Sequence, residues 1–278
     1  MYSSQAPVRD LYDAICANEH DCFATTLMPW LARHRDERDW LAAVGAADQL
    51  RWQPSDEDLC RLYAFSRVND LVLLGFQPVP RPGAGRGPSL SPDQYGEFLT
   101  TLGMRIVERS LFHPFYHEVV AVLPSDDPDA PVELMQTLWP CSMIGGLVFS
   151  RAGVVVRAGV RQMVPSIAES STLYWAHRRT RRPVLDLSRG WGSNSQWRTR
   201  FRRDFLMASA YRFNADSKWE VGQADIDNDA QVGQRELSVD ERIELLVHRC
   251  FVRTALPHDD CWPWDHGLTV PVADTAGW

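Results

Sequence analysis

The stretch "GLVFSRAGVVVRAG", residues 146–159, decides the fold class. Its apolar runs at 147–149 and 154–156 are short and rich in valine, as strands are, and Arg151, Ala152 and Gly153 separate them. Two such runs around a glycine-bearing break predict a β-hairpin turning at 151–153, and therefore antiparallel pairing. Further along, "YRFNADSKWEV" (211–221) predicts a second hairpin, turning at 214–217. From residue 111 onward the apolar period is two, and β-branched and aromatic residues are common.

Before that point the period is helical. Val8, Leu11, Tyr12 and Ile15 line one face, and Phe23, Leu27, Trp30 and Leu31 continue the style, with Pro29 expected to kink or break the second segment. Ser55 caps a helix that turns Leu59, Leu62 and Tyr63 inward, with Asp56, Glu57 and Asp58 at its positive end. Ser91, Pro92 and Gln94 form a capping box ahead of a stripe of Tyr95, Phe98, Leu99, Leu102 and Ile106. A late helix follows Ser238 in "SVDE", burying Val239, Ile243, Leu246, Val247 and Cys250. The proline- and glycine-rich run 77–92 reads as a linker or long loop. The expected organisation is a helical region, 1–84, and an α+β region, 85–278, which can pack as one unit. The class is α+β, with helices first, then a mainly antiparallel β part with a late helix. The last 25 or so residues, around "PHDDCWPWDHG", read as irregular chain anchored by tryptophans.

A chain of 278 residues with 45% hydrophobic content can bury a substantial core. The net charge of -7 argues against general affinity for nucleic acid or anionic membrane. No apolar window approaches the 18 residues or so of a membrane span, and the N-terminus lacks the basic start and apolar core of an export signal. Six cysteines without a CxxC pair fit a reduced, cytoplasmic protein. No phosphate loop, dinucleotide fingerprint or GxSxG elbow appears in the sequence.

Four segments carry candidate chemistry. In "WRTRFRRD" (197–204) strand alternation sends Trp197, Thr199 and Phe201 to the core, and Arg198, Arg200 and Arg202 together to the opposite face. Like charges about 6.6 Å apart repel unless an anion lies across them. That anion is either an acidic segment of the chain or a phosphorylated or carboxylated ligand, which arginine holds through its bidentate fork. Trp191, Ser193, Asn194, Ser195 and Gln196 precede this face as a donor-rich loop that completes the candidate anion or partner site. In "FHPFYHE" (112–118), His117 and Glu118 are the acid–base candidates, while a strand would hold His113 and His117 about 13 Å apart, too far to share a metal. "PHDDCWPWDHG" gathers His258, Asp259, Asp260, Cys261, Asp265 and His266 without a known ligand spacing.

The run "DIDNDAQVGQRE" (225–236) places Asp225, Asp227, Asp229, Gln231 and Glu236 at oxygen-ligand positions. It resembles an EF-hand calcium loop. Two departures set it apart: Ala230 stands where that family needs glycine, and the late helix starts only after Glu236. Calcium is therefore kept as an alternative to an acidic connection between a strand and a helix, and no other cofactor is expected. The functional expectation is a binding or interaction protein, a neutralising, immunity-like partner of a basic protein. The alternative is an enzyme whose anionic substrate is held by the arginine strand.

Overall fold

The computed structural model describes residues 4–18, 21–48, 51–78, 87–185, 197, 199–223, 237–255 and 261–275. The helices come first. α1 (Ala6–Ala17) buries Val8, Leu11, Tyr12 and Ile15, the stripe that the spacing predicts. A π-helical turn at Phe23–Leu27 leads directly into α2 (Met28–Arg33). Pro29 falls in the first turn of α2, where a missing N–H costs little, so the expected break becomes a local widening of a continuous path. α3 (Arg35–Ala46) buries Leu41 and Val44.

The serine caps act as the sequence predicts. At α4 (Asp56–Leu73) the Asp58 N–H donates to Ser55 Oγ at 3.2 Å, while the Ser55 N–H donates to the Asp58 carboxylate at 2.9 Å. At α5 (Pro92–Thr101) the reciprocal pair is Ser91 and Gln94, at 3.1 and 2.9 Å. α5 is shorter than its stripe, because Gly103 adopts a φ of 88° and Ile106 passes into a strand.

Among the described residues twelve strands follow: β1 (Arg105–Val107), β2 (His117–Pro124), β3 (Glu133–Trp139), β4 (Cys141–Ile144), β5 (Leu147–Ser150), β6 (Ala152–Ala158), β7 (Leu173–Tyr174), β8 (Val184–Leu185), β9 (Phe205–Leu206), β10 (Ala210–Phe213), β11 (Trp219–Glu220) and β12 (His266–Pro271). Among them lie the short α6 (Pro165–Ala168) and the late α7 (Val239–His248). One sheet runs β1-β4-β5-β9-β10-β12-β11, antiparallel except for β11 beside β12. A second runs β2-β6-β3, with β2 parallel and β3 antiparallel to β6, and β7 and β8 form a parallel pair. The α+β class with mainly antiparallel pairing therefore stands.

The two predicted hairpins do not form. β5 belongs to the large sheet and β6 to the small one, so residues 146–159 change sheets at Arg151 rather than fold back. The hairpin partner of β5 is β4, through Gly145 with φ 58°. The Gly145-Gly146 dipeptide is a stronger turn signal than residues 151–153. Asn214 does turn the chain, with φ 51°, but β12 inserts between β10 and β11. The C-terminal stretch read as irregular thus supplies an interior strand of the large sheet, beside which Trp262 is buried. α7 keeps its Ser238–Glu241 capping box, but Val239 is exposed and Leu245 is buried in its place.

Two hydrophobic clusters result. One joins α1–α5 to β4 and β5, and so spans residue 85. The other joins β2, β6 and β7 to α7. Gly153 is required by packing and not by a turn: a Cβ there would lie 2.3 Å from ring atoms of Trp139. That ring cannot yield freely, since it is buried and its Nε1 donates to the Arg151 carbonyl at 2.9 Å. Gly153→Ala is expected to cost about 3 kcal/mol in urea unfolding. A loss below about 1 kcal/mol would show that the ring moves aside. Among the described residues no helix is long and apolar enough to cross a membrane.

Candidate functional site

Residues 199–204 of the arginine segment form no strand. Thr199 and Phe201 are buried and Arg200 is exposed, as alternation requires, but Arg202, Arg203, Asp204 and Phe205 are all buried. Arg200 lies beside Asp56 at 3.3 Å. Arg202 turns inward: its Nε donates to Asp204 Oδ1 at 2.8 Å, its Nη2 to the Leu246 carbonyl at 2.6 Å, and its guanidinium lies 4.4 Å from the Trp262 ring centre. The buried carboxylate of Asp204 overrides the period of two, because a buried charge must find a partner. Arg200 and Arg202, expected on one face, are thereby divided between solvent and core. Arg198 lies outside the described residues, as do Trp191, Ser193, Asn194, Ser195 and Gln196. The run 225–236, with Asp225, Asp227, Asp229, Gln231 and Glu236, also lies outside them, and so do His258, Asp259 and Asp260.

His117 and Glu118 are consecutive on β2, so alternation sends them to different surroundings. Glu118 meets Arg179 in a bidentate pair at 2.7 and 2.8 Å. Although burial raises its pKa, the guanidinium dominates and holds it below the ordinary carboxylate range. Its oxygens are committed to that pair. His117 stacks on Phe112, with ring centres 5.6 Å apart, and its Nδ1 accepts the His113 N–H at 2.9 Å. That acceptance places the ring proton on Nε2. The two histidines lie close together and not a strand's length apart, because a turn precedes β2 and the His117 N–H donates to the His113 carbonyl. Burial lowers His117 to about 4. Among the described residues no group of three or more His, Cys, Asp or Glu side chains is arranged to hold a metal ion.

A residue the sequence did not single out completes the arrangement around Phe112. His248, at the end of α7, also stacks on Phe112, its ring centre 6.5 Å from that of Phe112 at an interplanar angle of 12°. Phe112 and His248 border a cleft of about 330 Å³. Its apolar lining includes Phe112, Pro114, Val132, Met163, Ile243 and Val247. Glu244, His248 and Arg253 add polar groups, with Asp129 and Gln162 at the exposed rim. Burial and the positive charges of Arg151 and Arg253 push His248 down to about 3, so its imidazole is neutral near pH 7.

Both cleft carboxylates are occupied. Glu244 Oε1 accepts the N–H groups of Val252, Arg253 and Thr254, and its Oε2 accepts the Thr254 hydroxyl at 2.6 Å. Asp129 pairs with Arg161 at 2.6 Å. The Arg253 guanidinium is exposed and makes no ion pair among the described residues. Among the described residues the cleft therefore offers a mixed lining of apolar and polar side chains, a neutral imidazole and one positive charge without an ion pair. Compared with known proteins, the chain matches no family model, no curated protein and no solved structure.

Proposed function

We propose that this protein acts by binding, and that the cleft against α7 receives a small amphipathic anion, with its apolar body over Phe112 and its carboxylate or phosphate at Arg253. The observation that carries the reading is Arg253, which makes no ion pair among the described residues and lines the 330 Å³ cleft, where apolar side chains alternate with polar ones. That volume lies at the lower end of ligand pockets, which typically span roughly 300–1,000 Å³ and combine apolar walls with a few polar anchors. Both nearby carboxylates are already satisfied, so the local charge favours an anion over a cation.

The reading keeps the anionic ligand expected from the sequence but moves its anchor from the arginine segment to the C-terminal end of α7. A basic protein partner, as the net charge of -7 would attract, is the second reading. It would use the same cleft for an anchoring side chain. Titration calorimetry with 2-naphthoate tests the first. Naphthoate should bind the intact protein, Val132→Trp should abolish binding by filling the cleft, and Arg253→Gln should weaken it by about tenfold or more, as loss of a charged hydrogen bond does. Absence of binding at millimolar naphthoate, or binding untouched by Val132→Trp, would sink the proposal.

A further inference from the structure

A second polar centre lies where the two hydrophobic clusters meet. Arg151 stands there because the chain changes sheets at that residue, and it reaches Asp204 Oδ2 at 3.3 Å and the Val247 carbonyl at 2.7 Å. Arg249 reaches the same Asp204 oxygen at 3.0 Å, and Arg202 holds the other. Three guanidinium groups thus share one fully buried carboxylate. Across a small cavity, Arg179 faces both Asp70, at 2.9 Å, and Glu118, at 2.7 Å. Four guanidiniums and three carboxylates leave one positive charge in excess. Nearby Arg182, buried and bonded to the Ser171 and Val119 carbonyls and the Ser171 hydroxyl, shares a neighbouring recess with Glu169 and leaves that excess unchanged.

The excess is partly met by the protein. The carbonyls of Leu246 and Val247, in the last turn of α7, accept Arg202 and Arg151, and a helix C-terminus supplies roughly half an elementary negative charge. That does not cancel it. Burial and the positive charge of Arg249 pull Arg151 below the usual arginine range, the direction expected of a cation with too little negative charge around it. Three donors find no partner among the described residues: Arg151 Nε, Arg249 Nε and Arg202 Nη1. Arg151 and Arg202 are each more than nine-tenths buried.

The cavity between these groups measures about 30 Å³ and is lined by Arg151, Arg249, Arg179, Asn69, Ser150 and Trp175, among others. It has room for one particle the size of a water molecule. Three residues around it take a left-handed backbone conformation, Arg249 as the C-cap that ends α7. Trp175 and Arg249, both in the lining, have φ values of 62° and 60°, and Asn214, which donates its N–H to Asp204 Oδ1, has φ 51°. Positive φ is costly for large side chains and collects at sites whose surroundings over-determine the chain.

We infer that this cavity is a built site for a single small monovalent anion of the halide class, held between Arg151 and Arg249 and completing the charge balance where the two clusters meet. The volume selects against sulfate, phosphate and any carboxylate with a body, which separates this site from the larger cleft against α7. Asp70 and Glu118 line the same cavity on the side of Arg179, which pairs with both and offsets their charge there. An anion bound only by the folded chain stabilises it by mass action.

The test is thermal unfolding of the intact chain in sodium chloride, sodium bromide, sodium gluconate and sodium sulfate at matched ionic strength. Chloride and bromide should raise Tm above gluconate, by about 3–6 °C for each tenfold rise above the dissociation constant. Arg249→Gln should remove the difference. If that variant does not fold, bromide crystals of the unaltered protein decide the matter through an anomalous peak in the cavity. Equal melting in chloride and gluconate, or a water in place of bromide, would overturn the inference.

Discussion

Asp204→Asn is expected to lower Tm by about 10 °C, the largest effect of any single change considered. Asp204 is fully buried and accepts from Arg151, Arg202, Arg249 and the Asn214 N–H. Those positive charges hold its carboxyl down to about 2 against the cost of burial. The amide removes the negative charge and leaves three buried guanidiniums facing one another. Removing one partner of a buried ion pair typically costs about 3–5 kcal/mol, and each kcal/mol moves Tm by roughly 2–4 °C in a protein of this size. Adding Arg202→Met to the variant should recover part of the loss, since it removes one repelling cation at similar volume. Thermal denaturation of both variants measures this. A shift under about 2 °C for Asp204→Asn would mean that the cluster is solvated and not buried.

Acid should destabilise the protein well above the range in which carboxylates titrate. Burial is the leading cause that lowers His113 and His117 to about 4, and His177 and His248 to about 3, from an ordinary 6.5. A histidine depressed in the folded state binds its proton more tightly when unfolded. Its contribution is therefore whole above pH 6.5 and is lost as pH falls toward the folded value. His117, 3% exposed, should by itself account for roughly 2 kcal/mol between pH 6.5 and 4.5. Asp70 and Glu37, raised by burial, act in the opposite direction at the acid end, so the histidine contribution is isolated by difference. His117→Gln can still accept the His113 N–H but does not titrate. Urea unfolding from pH 7 to 4.5 should give a stability–pH slope shallower by about one proton in the variant. Parallel slopes would refute a neutral, buried His117.

Little of the site was legible in the chain, and the reasons differ by residue. Glu118 and His117 were picked out by type, but their separation into two environments depends on a strand being buried on both sides. His248 was missed because it looks like the last turn of an amphipathic helix; only the Phe112 stack gives it a role. Arg151 read as a turn residue, since nothing local distinguishes a turn from a passage between sheets. Arg202 read as outward-facing because alternation is a local rule, and the carboxylate that overrides it, though only two residues away, is drawn in by Arg151 and Arg249 from distant segments.

The sequence by itself determined the first helix, the serine-capped helices that start after residues 55, 91 and 238, and the α+β class, because capping and periodicity act within a few residues of one another; α3 and α6 were not foreseen. Tertiary structure alone decided which strands pair, where β12 enters, and which arginines meet. Strand order, unlike helix formation, is a contest among segments far apart in the chain. A buried charge settles on whichever partner the packed sheets bring within reach.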